Sequence, residues 1–252
     1  MPGLRRLLRQ YLPEELRAAL AQARRAAGDR LSGDRLRFAA RRLAAEVDDW
    51  PEALALVQPI RQTAFWEGKL HNLQLGAARL DGTVIAPGEI FSFWGLIGRP
   101  DAASGFAHGR SIRADAVGAD IGGGLCQLSG LAYELGLRAA LTLRERHPHS
   151  RDLYAEEARF APLGLDATVV WPWKDLRLGN PHPFPVALRC AVRGMALHAA
   201  IHAPQPLPNC ELTIERQDAG DQRRVSVSRQ APGGAPERVS NDLYIVDQAA
   251  SS

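Results

Sequence analysis

The residues of this sequence best suited to chemistry are Cys126, His147, His149 and Asp166. A cysteine thiolate is a strong nucleophile, but it needs a base within hydrogen-bond reach, and that base needs a third group to orient it. The order cysteine, histidine, aspartate along the chain can meet these needs if the fold brings the three together. Cys126 stands directly behind a run of three glycines, in Ile121-Gly122-Gly123-Gly124-Leu125-Cys126-Gln127-Leu128-Ser129. Leu128, Leu131, Ala132, Leu135 and Ala139 then recur at three- and four-residue steps, which predicts a helix over 127–143. A thiol in the first turn of that helix would lie near unsatisfied N–H groups and the positive end of the dipole, a setting that favours the thiolate. Gln127, through its side chain or its backbone N–H, is a candidate for the oxyanion hole.

Blander readings stand beside this one. Free cysteines are commonly packed and inert. The two histidines flank Pro148 and suit a surface turn, and Asp166 suits a turn in which it caps its own backbone. Metal binding is a second class of reading: His71, His108, His149, Cys126 and Asp166 are all acceptable zinc ligands, but no two fall at the i, i+4 spacing of a preformed helical pair. A third is a binding module, with the glycine-rich stretch 95–120 and Trp94, Trp171 and Trp173 forming a cleft. On an extended strand Trp171 and Trp173 would share one face.

The elements that must position these residues can be read in order. Pro13-Glu14-Glu15 opens a helix, with proline and acids favoured in the first turn, and Leu36 to Val47 reads as a second. Arginines coat both, and their apolar faces are mostly alanine, so a solvated basic cover is favoured over a membrane-surface helix. An apolar run from Pro51 leads to a helix around 71–80. Asp81-Gly82 turns the chain into a strand at 83–85, and Ile90 to Trp94 reads as another strand. Residues 95–120 read as a long irregular loop, which in a compact domain is usually functional. A strand is predicted near 165–171, and a hairpin over 186–202 about Arg193-Gly194. Further strands fall near 212–214, 224–228 and 243–246, with a long turn at 229–236.

Composition narrows the classes. The chain has 252 residues, 46% hydrophobic and 23% charged, with net charge +3. That fits a globular domain with an ample core. Lysine occurs only at 69 and 174, and basic residues are not interleaved with aromatics, so a nucleic-acid partner is not indicated. Cys126, Cys190 and Cys210 show no paired spacing, which argues against a disulfide framework or zinc ribbon. No secretory h-region and no transmembrane run are visible, so the expectation is a soluble, cytoplasmic protein.

Several stretches resemble the VanW family. They are His71-Asn72-Leu73, Pro87-Gly88-Glu89 with Phe91-Ser92-Phe93, Gly98, Gly122 to Ser129, Glu145 to Ser150, Asp166-Ala167-Thr168-Val169, and Asp175-Leu176-Arg177 with Asn180. The likeness runs from about residue 60 to 203 and more weakly to Tyr244. It implies a bacterial envelope context, related to the cell wall or to antibiotic resistance.

Together these readings predict an α+β fold. An N-terminal helical extension (1–48) precedes a core (49–204) with a mixed or antiparallel β-sheet and the Cys126 helix packed on it. C-terminal strands and a tail (205–252) belong to the same domain. The expected function is cysteine-dependent acyl transfer or hydrolysis on a peptide or cell-wall-derived substrate, without a cofactor or metal. The alternative is a non-catalytic module that binds a cell-wall fragment or other small ligand. Cys126, His149, Asp166, His147 and Gln127 are the catalytic candidates. His71, Asn72, His108, Arg110, Gly122, Gly123, Gly124, Ser129 and Arg146 are the candidates for binding substrate.

Overall fold

A computed structural model describes residues 12–40, 47, 49–62, 64–113, 116–152, 159 and 161–246. The fold is mixed α+β, with several mostly antiparallel sheets and few helices. Helix α1 (Glu14–Leu31) comes first, and none of its residues is buried. The second helical run expected at 36–47 does not start as an α-helix: Asp34–Leu36 is a short 3-10 turn and Phe38 makes a parallel bridge to Ile90, while residues 41–46 lie outside the described residues. Strand β1 (Glu52–Pro59) pairs antiparallel with β10 (Ala196–His202), which pairs with β9 (Val186–Arg193), which pairs with β2 (Thr83–Ile85). Gly194 turns the β9–β10 hairpin at φ 59°.

Helices α2 (Trp66–Leu80) and α4 (Leu125–Arg138) pack on this sheet and on each other. Their approach is close: a Cβ on Gly76 of α2 would meet the side chains of Leu125 and Leu128 at 2.8 and 3.0 Å. The i, i+3, i+4 leucines of α4 are fully covered, with Leu128, Leu131 and Leu135 each at 0% exposure. Burial of each such side chain contributes about 1.5–3 kcal/mol. The helix ends earlier than its apolar period suggests. Ala140 takes φ 56°, and the amides of Ala140 and Leu141 bond back to Leu137 O and Gly136 O. This left-handed cap swings Leu141 into the core, at 1% exposure, and extends the apolar pattern past the last helical turn.

A small sheet of β3 (Ile90–Ser92), β8 (Arg177–Gly179) and β6 (Thr142–Glu145) follows. The strand expected to run through Trp94 stops at Ser92. There the Ser92 hydroxyl accepts from Gly95 N at 3.0 Å and starts a short helix, α3 (Phe93–Ile97). The stretch expected as irregular at 95–120 contains a hairpin, β4 (His108–Arg113) with β5 (Ala116–Ile121). The expected strand near 165–171 is instead extended chain alongside α4. It makes no ladder, because its carbonyls and amides bond elsewhere: Ala167 O accepts from the Ser129 hydroxyl at 2.6 Å, and Thr168 N donates to His147 O at 2.7 Å. A C-terminal meander of β11 (Glu211–Ala219), β12 (Gln222–Gln230) and β13 (Glu237–Val246) adds a parallel partner, β7 (Arg151–Asp152). Among the described residues, no helix is long and apolar enough to cross a membrane.

One side chain ties the glycine loop to the hairpin. Asn72, fully buried on α2, donates to Ala107 O at 2.9 Å and to Gly123 O at 3.0 Å, and accepts from Ala107 N at 2.9 Å. Backbones then meet where no side chain fits: a Cβ on Gly123 would lie 2.1 Å from Gly109 O. Replacing Asn72 by alanine removes the side-chain partner of Ala107 N and Gly123 O, while Ala107 O keeps its bond from Gly122 N, and should destabilise the fold by about 1–3 kcal/mol. Urea unfolding is the check, and an unchanged midpoint would show that the Asn72 bonds contribute nothing net.

Candidate active site

Cys126 is the second residue of α4, half-buried, with Gly124 as N-cap at φ 98°. That left-handed conformation favours glycine, and a side chain there would also strike Lys69, whose Cγ lies 2.5 Å from the Cβ position. The glycine run therefore delivers the cysteine to the first helical turn, where the dipole favours negative charge.

The structure brings His149 and Asp166 to this cysteine. His149 and Cys126 line the same cleft and act on each other, the imidazole lowering the thiol and the sulfur raising the imidazole, while the thiol donates to Val169 O at 3.8 Å. The His149 Nδ1 lies 2.8 Å from Asp166 Oδ2. The backbone N–H of His149 donates to the same Oδ2 at 2.7 Å, so one carboxylate oxygen fixes both the ring and the chain that carries it. Asp166 Oδ1 accepts from the Tyr244 hydroxyl at 2.6 Å and from Arg146 Nη2 at 3.1 Å. Arg146 also donates to Asp166 O at 2.7 Å, bonds Asp242, and lies over the Tyr133 ring with its Cζ 5.1 Å from the centroid.

The electrostatics follow from this chain of contacts. Burial opposes charge on Asp166, but His149, Arg146 and Tyr244 together hold its carboxyl well below the usual range. Burial likewise opposes charge on His149, yet its bonds to Asp166 and Cys126 raise the imidazole to about 10. At Cys126 burial works against the thiolate, while His149 outweighs it and lowers the thiol below its ordinary value. Both shifts act in the direction of a thiolate paired with an imidazolium. The contrast with Cys190 is physical: it is buried without a cation and its thiol is pushed up.

The other sequence candidates divide. Gly122, Gly123, Gly124, His108, Arg110 and Gln127 line one cleft of about 760 Å³ with Cys126, His149 and Asp166. The two Gln127 donors considered for an oxyanion hole are already engaged, the backbone N–H on Gly124 O at 3.0 Å and Nε2 on Pro59 O at 2.9 Å. His147 is not among the cleft-lining residues. Its Nε2 lies 3.0 Å from Glu145 Oε1. His71, Asn72, Ser129 and Arg146 do not line the cleft either. His71 bonds Gly105 O at 2.8 Å, Ser129 bonds Ala167 O, and Arg146 is buried behind Asp166. Trp171 and Trp173 do reach the cleft, but on a tight turn closed by the Val170–Lys174 bridge, not on one face of a strand. Trp171 packs edge-on against Trp94, with centroids 5.9 Å apart.

Sequence reasoning missed Tyr244 and Asp242, which lie far along the chain on β13. It also missed Lys69, whose only signal is that it is one of two lysines. Among the described residues no cluster of three His, Cys, Asp or Glu side chains is arranged to hold a metal ion.

Residues 68–202 match the family described as VanW like protein. The chain is 34% identical over 116 residues to the "Vancomycin B-type resistance protein VanW" of Enterococcus faecalis, covering 46% of this chain and 42% of that protein. It is 28% identical over 137 residues to the "Uncharacterized protein YoaR" of Bacillus subtilis, covering 54% of this chain and 44% of that protein. The match thus spans less than half the length of either relative. No solved structure matches.

The raised imidazole gives a direct check. In an NMR titration His149 should stay protonated through neutral pH and lose its proton near 10. In Asp166→Asn, with the anion gone, the transition should move down toward the ordinary value of about 6.5. A wild-type midpoint already near that value would show that Asp166 does not hold the ring charged.

Proposed function

The chain belongs to the VanW family, and from that premise and the geometry of the cleft we propose that it is a cysteine-dependent acyl transferase or hydrolase acting on a peptide. The observation that carries this reading is the Cys126–His149–Asp166 relay opening into the cleft. In the first half-reaction Cys126 Sγ attacks the acyl carbonyl carbon and the bond to the leaving amine breaks. The imidazolium of His149 gives its proton to that amine, leaving a thioester and a neutral ring. In the second, His149 takes a proton from water or from an acceptor amine, which attacks the thioester. The acyl product leaves, and the thiolate–imidazolium pair is restored. Asp166 keeps Nδ1 bonded throughout, which fixes the tautomer and stabilises the imidazolium. In the first turn of α4 the amides of Leu125 and Gln127 already bond Gly122 O and Gly124 O, so the helix supplies the developing oxyanion with its dipole and not with these two donors.

Two further features support a peptide. Gln127 Oε1 and Thr168 Oγ1 are buried without a protein partner, and both residues line the cleft. A buried acceptor left unmade is costly, so a substrate amide N–H that reached either atom would gain a bond the protein leaves open. Trp94, Trp171 and Trp173 supply an apolar wall for a side chain. One relative is named a vancomycin B-type resistance protein, which directs the choice of first substrates to cell-wall peptides.

The test is to trap the acyl-enzyme. Incubation with activated esters of short peptides, followed by acid quench and intact-mass analysis, should show one acyl group on the wild-type chain and none on Cys126→Ser. His149→Ala should accumulate it at least ~100-fold more slowly, the usual contribution of a positioned acid–base group. Acylation spread equally over Cys126, Cys190 and Cys210 would overturn the enzymatic reading in favour of a binding module.

A further inference from the structure

The apolar side of the cleft is a single braced unit. Val170 and Lys174 close a turn on each other, Val170 N donating to Lys174 O at 2.9 Å and Lys174 N to Val170 O at 2.8 Å. Lys174 O also accepts from Trp94 Nε1 at 2.7 Å, which fastens the turn to α3. The Trp171 ring stands edge-on to Trp94, and Trp94 edge-on to Phe93, with centroids 5.9 and 5.2 Å apart. Trp94 and Phe93 are buried, so the turn is backed by the core. Its front is open: Val170 and Trp173 are 38% and 40% exposed. Val170, Trp171 and Trp173 all line the cleft that holds Cys126. Core packing does not account for large apolar side chains left in water on one turn, and an apolar patch of this kind beside a site marks a surface for binding.

The position of the turn decides what it can touch. The Cys126 thiol donates to Val169 O at 3.8 Å, one residue before the turn begins. The bridge then keeps Trp173, the chain neighbour of Lys174, beside Val170. The wall thus starts next to the sulfur and not at the far end of the cleft. At its neck the amides and carbonyls of Val170 and Lys174 and the indole N–H of Trp94 are spent on one another. That leaves little there for recognition by hydrogen bonds. What the turn offers is aromatic and aliphatic surface, already ordered and therefore cheap to bind.

Resting on the reading of Cys126 as the nucleophile, we propose that the turn of Val170, Trp171 and Trp173 is a specificity subsite for the acyl-donating residue, and that this residue carries a bulky apolar side chain, aromatic by preference. The carbonyl carbon that Sγ attacks is bonded to the Cα of that residue. Its side chain is therefore held close to the sulfur through both half-reactions, where the wall begins. The leaving amine departs after the first half-reaction and needs no such seat. An aromatic side chain gains more than an aliphatic one, because ring edges and faces pair favourably with tryptophan.

The test compares p-nitrophenyl esters of N-acetylphenylalanine, N-acetylglycine and N-acetylglutamate on the full-length chain. Cys126 Sγ attacks the ester carbonyl, the bond to the nitrophenolate oxygen breaks, and nitrophenolate leaves as the thioester forms. Nitrophenolate absorbance and intact mass follow the reaction. Each rate is divided by that of the same ester with a free thiol, which removes intrinsic reactivity. The phenylalanyl ester should then react on the order of tenfold faster than the glycyl ester, the usual scale of discrimination by an apolar pocket. Trp173→Ala should erase most of that ratio, and Trp173→Phe should keep most of it. A partly unfolded variant lowers both rates alike, so the ratio reports on the wall. The glutamyl ester is the charged arm, since Lys174 also lines the cleft. Without any reaction, acetyl-phenylalaninamide should move the indole N–H signals of Trp171 and Trp173 in an NMR titration, and acetyl-glycinamide should not. Equal corrected rates, or a preference for the glutamyl ester, with Cys126 still acylated, overturn the subsite and leave the nucleophile standing. No acylation of Cys126 by any ester overturns the nucleophile. Indole signals that still move with acetyl-phenylalaninamide then keep the subsite as part of a binding module. Signals that stay, or that move only with N-acetylglucosamine, overturn it as well.

Discussion

The Asp166 carboxylate is the constraint on which the rest of the site depends. It is almost enclosed, and an enclosed charge persists only when its oxygens are fully bonded. Here the bonds come from two distant parts of the chain: the loop just past β6, through the ring and backbone of His149 and the guanidinium of Arg146, and β13, through the hydroxyl of Tyr244. Meeting the demands of one buried anion thus fixes the histidine loop and anchors the C-terminal meander. The same anion makes the imidazole basic enough to hold a proton against the thiol, so a structural requirement and an electrostatic one are met by one set of contacts.

The cysteine is positioned by a different kind of constraint, the absence of side chains. Gly123 and Gly109 approach so closely that a Cβ on either would sit within 2.4 Å of the other's carbonyl oxygen, and Asn72 closes the junction with bonds to both segments. The loop therefore has little freedom, and α4 starts at a defined point on the floor of the cleft. Residues that look like surface chemistry in the sequence, His71 and Asn72, act here as fasteners of backbone.

This explains what could be read in advance. The helix behind Cys126 and the 186–202 hairpin were legible because each rests on a local signal: a 3.6-residue period and a glycine between alternating strands. Choosing His149 over His147 was not legible, since both flank the same proline and only tertiary contacts send one ring to Asp166 and the other to Glu145. Arg146 was a candidate for binding substrate. Its burial behind Asp166 depends on Asp242, 96 residues away in sequence. The strand expected at 165–171 failed for a related reason. Its hydrogen bonds go to Ser129 and to the histidine loop, so a segment with strand-like composition became the rail that carries Asp166 and the Val169 carbonyl past the sulfur.

The central claim is that Cys126 rests as a thiolate paired with an imidazolium. The thiolate's ultraviolet absorbance, titrated as the difference between the wild-type chain and Cys126→Ser, measures this without a substrate. The account predicts that the thiolate signal is already present at neutral pH and is lost only on acidification well below the ordinary thiol value of 9.0. In His149→Ala the transition should move up, because burial then acts on the thiol without the partner charge. A wild-type transition at or above the ordinary value, unmoved by the loss of His149, would contradict the pairing and with it the assignment of Cys126 as a nucleophile.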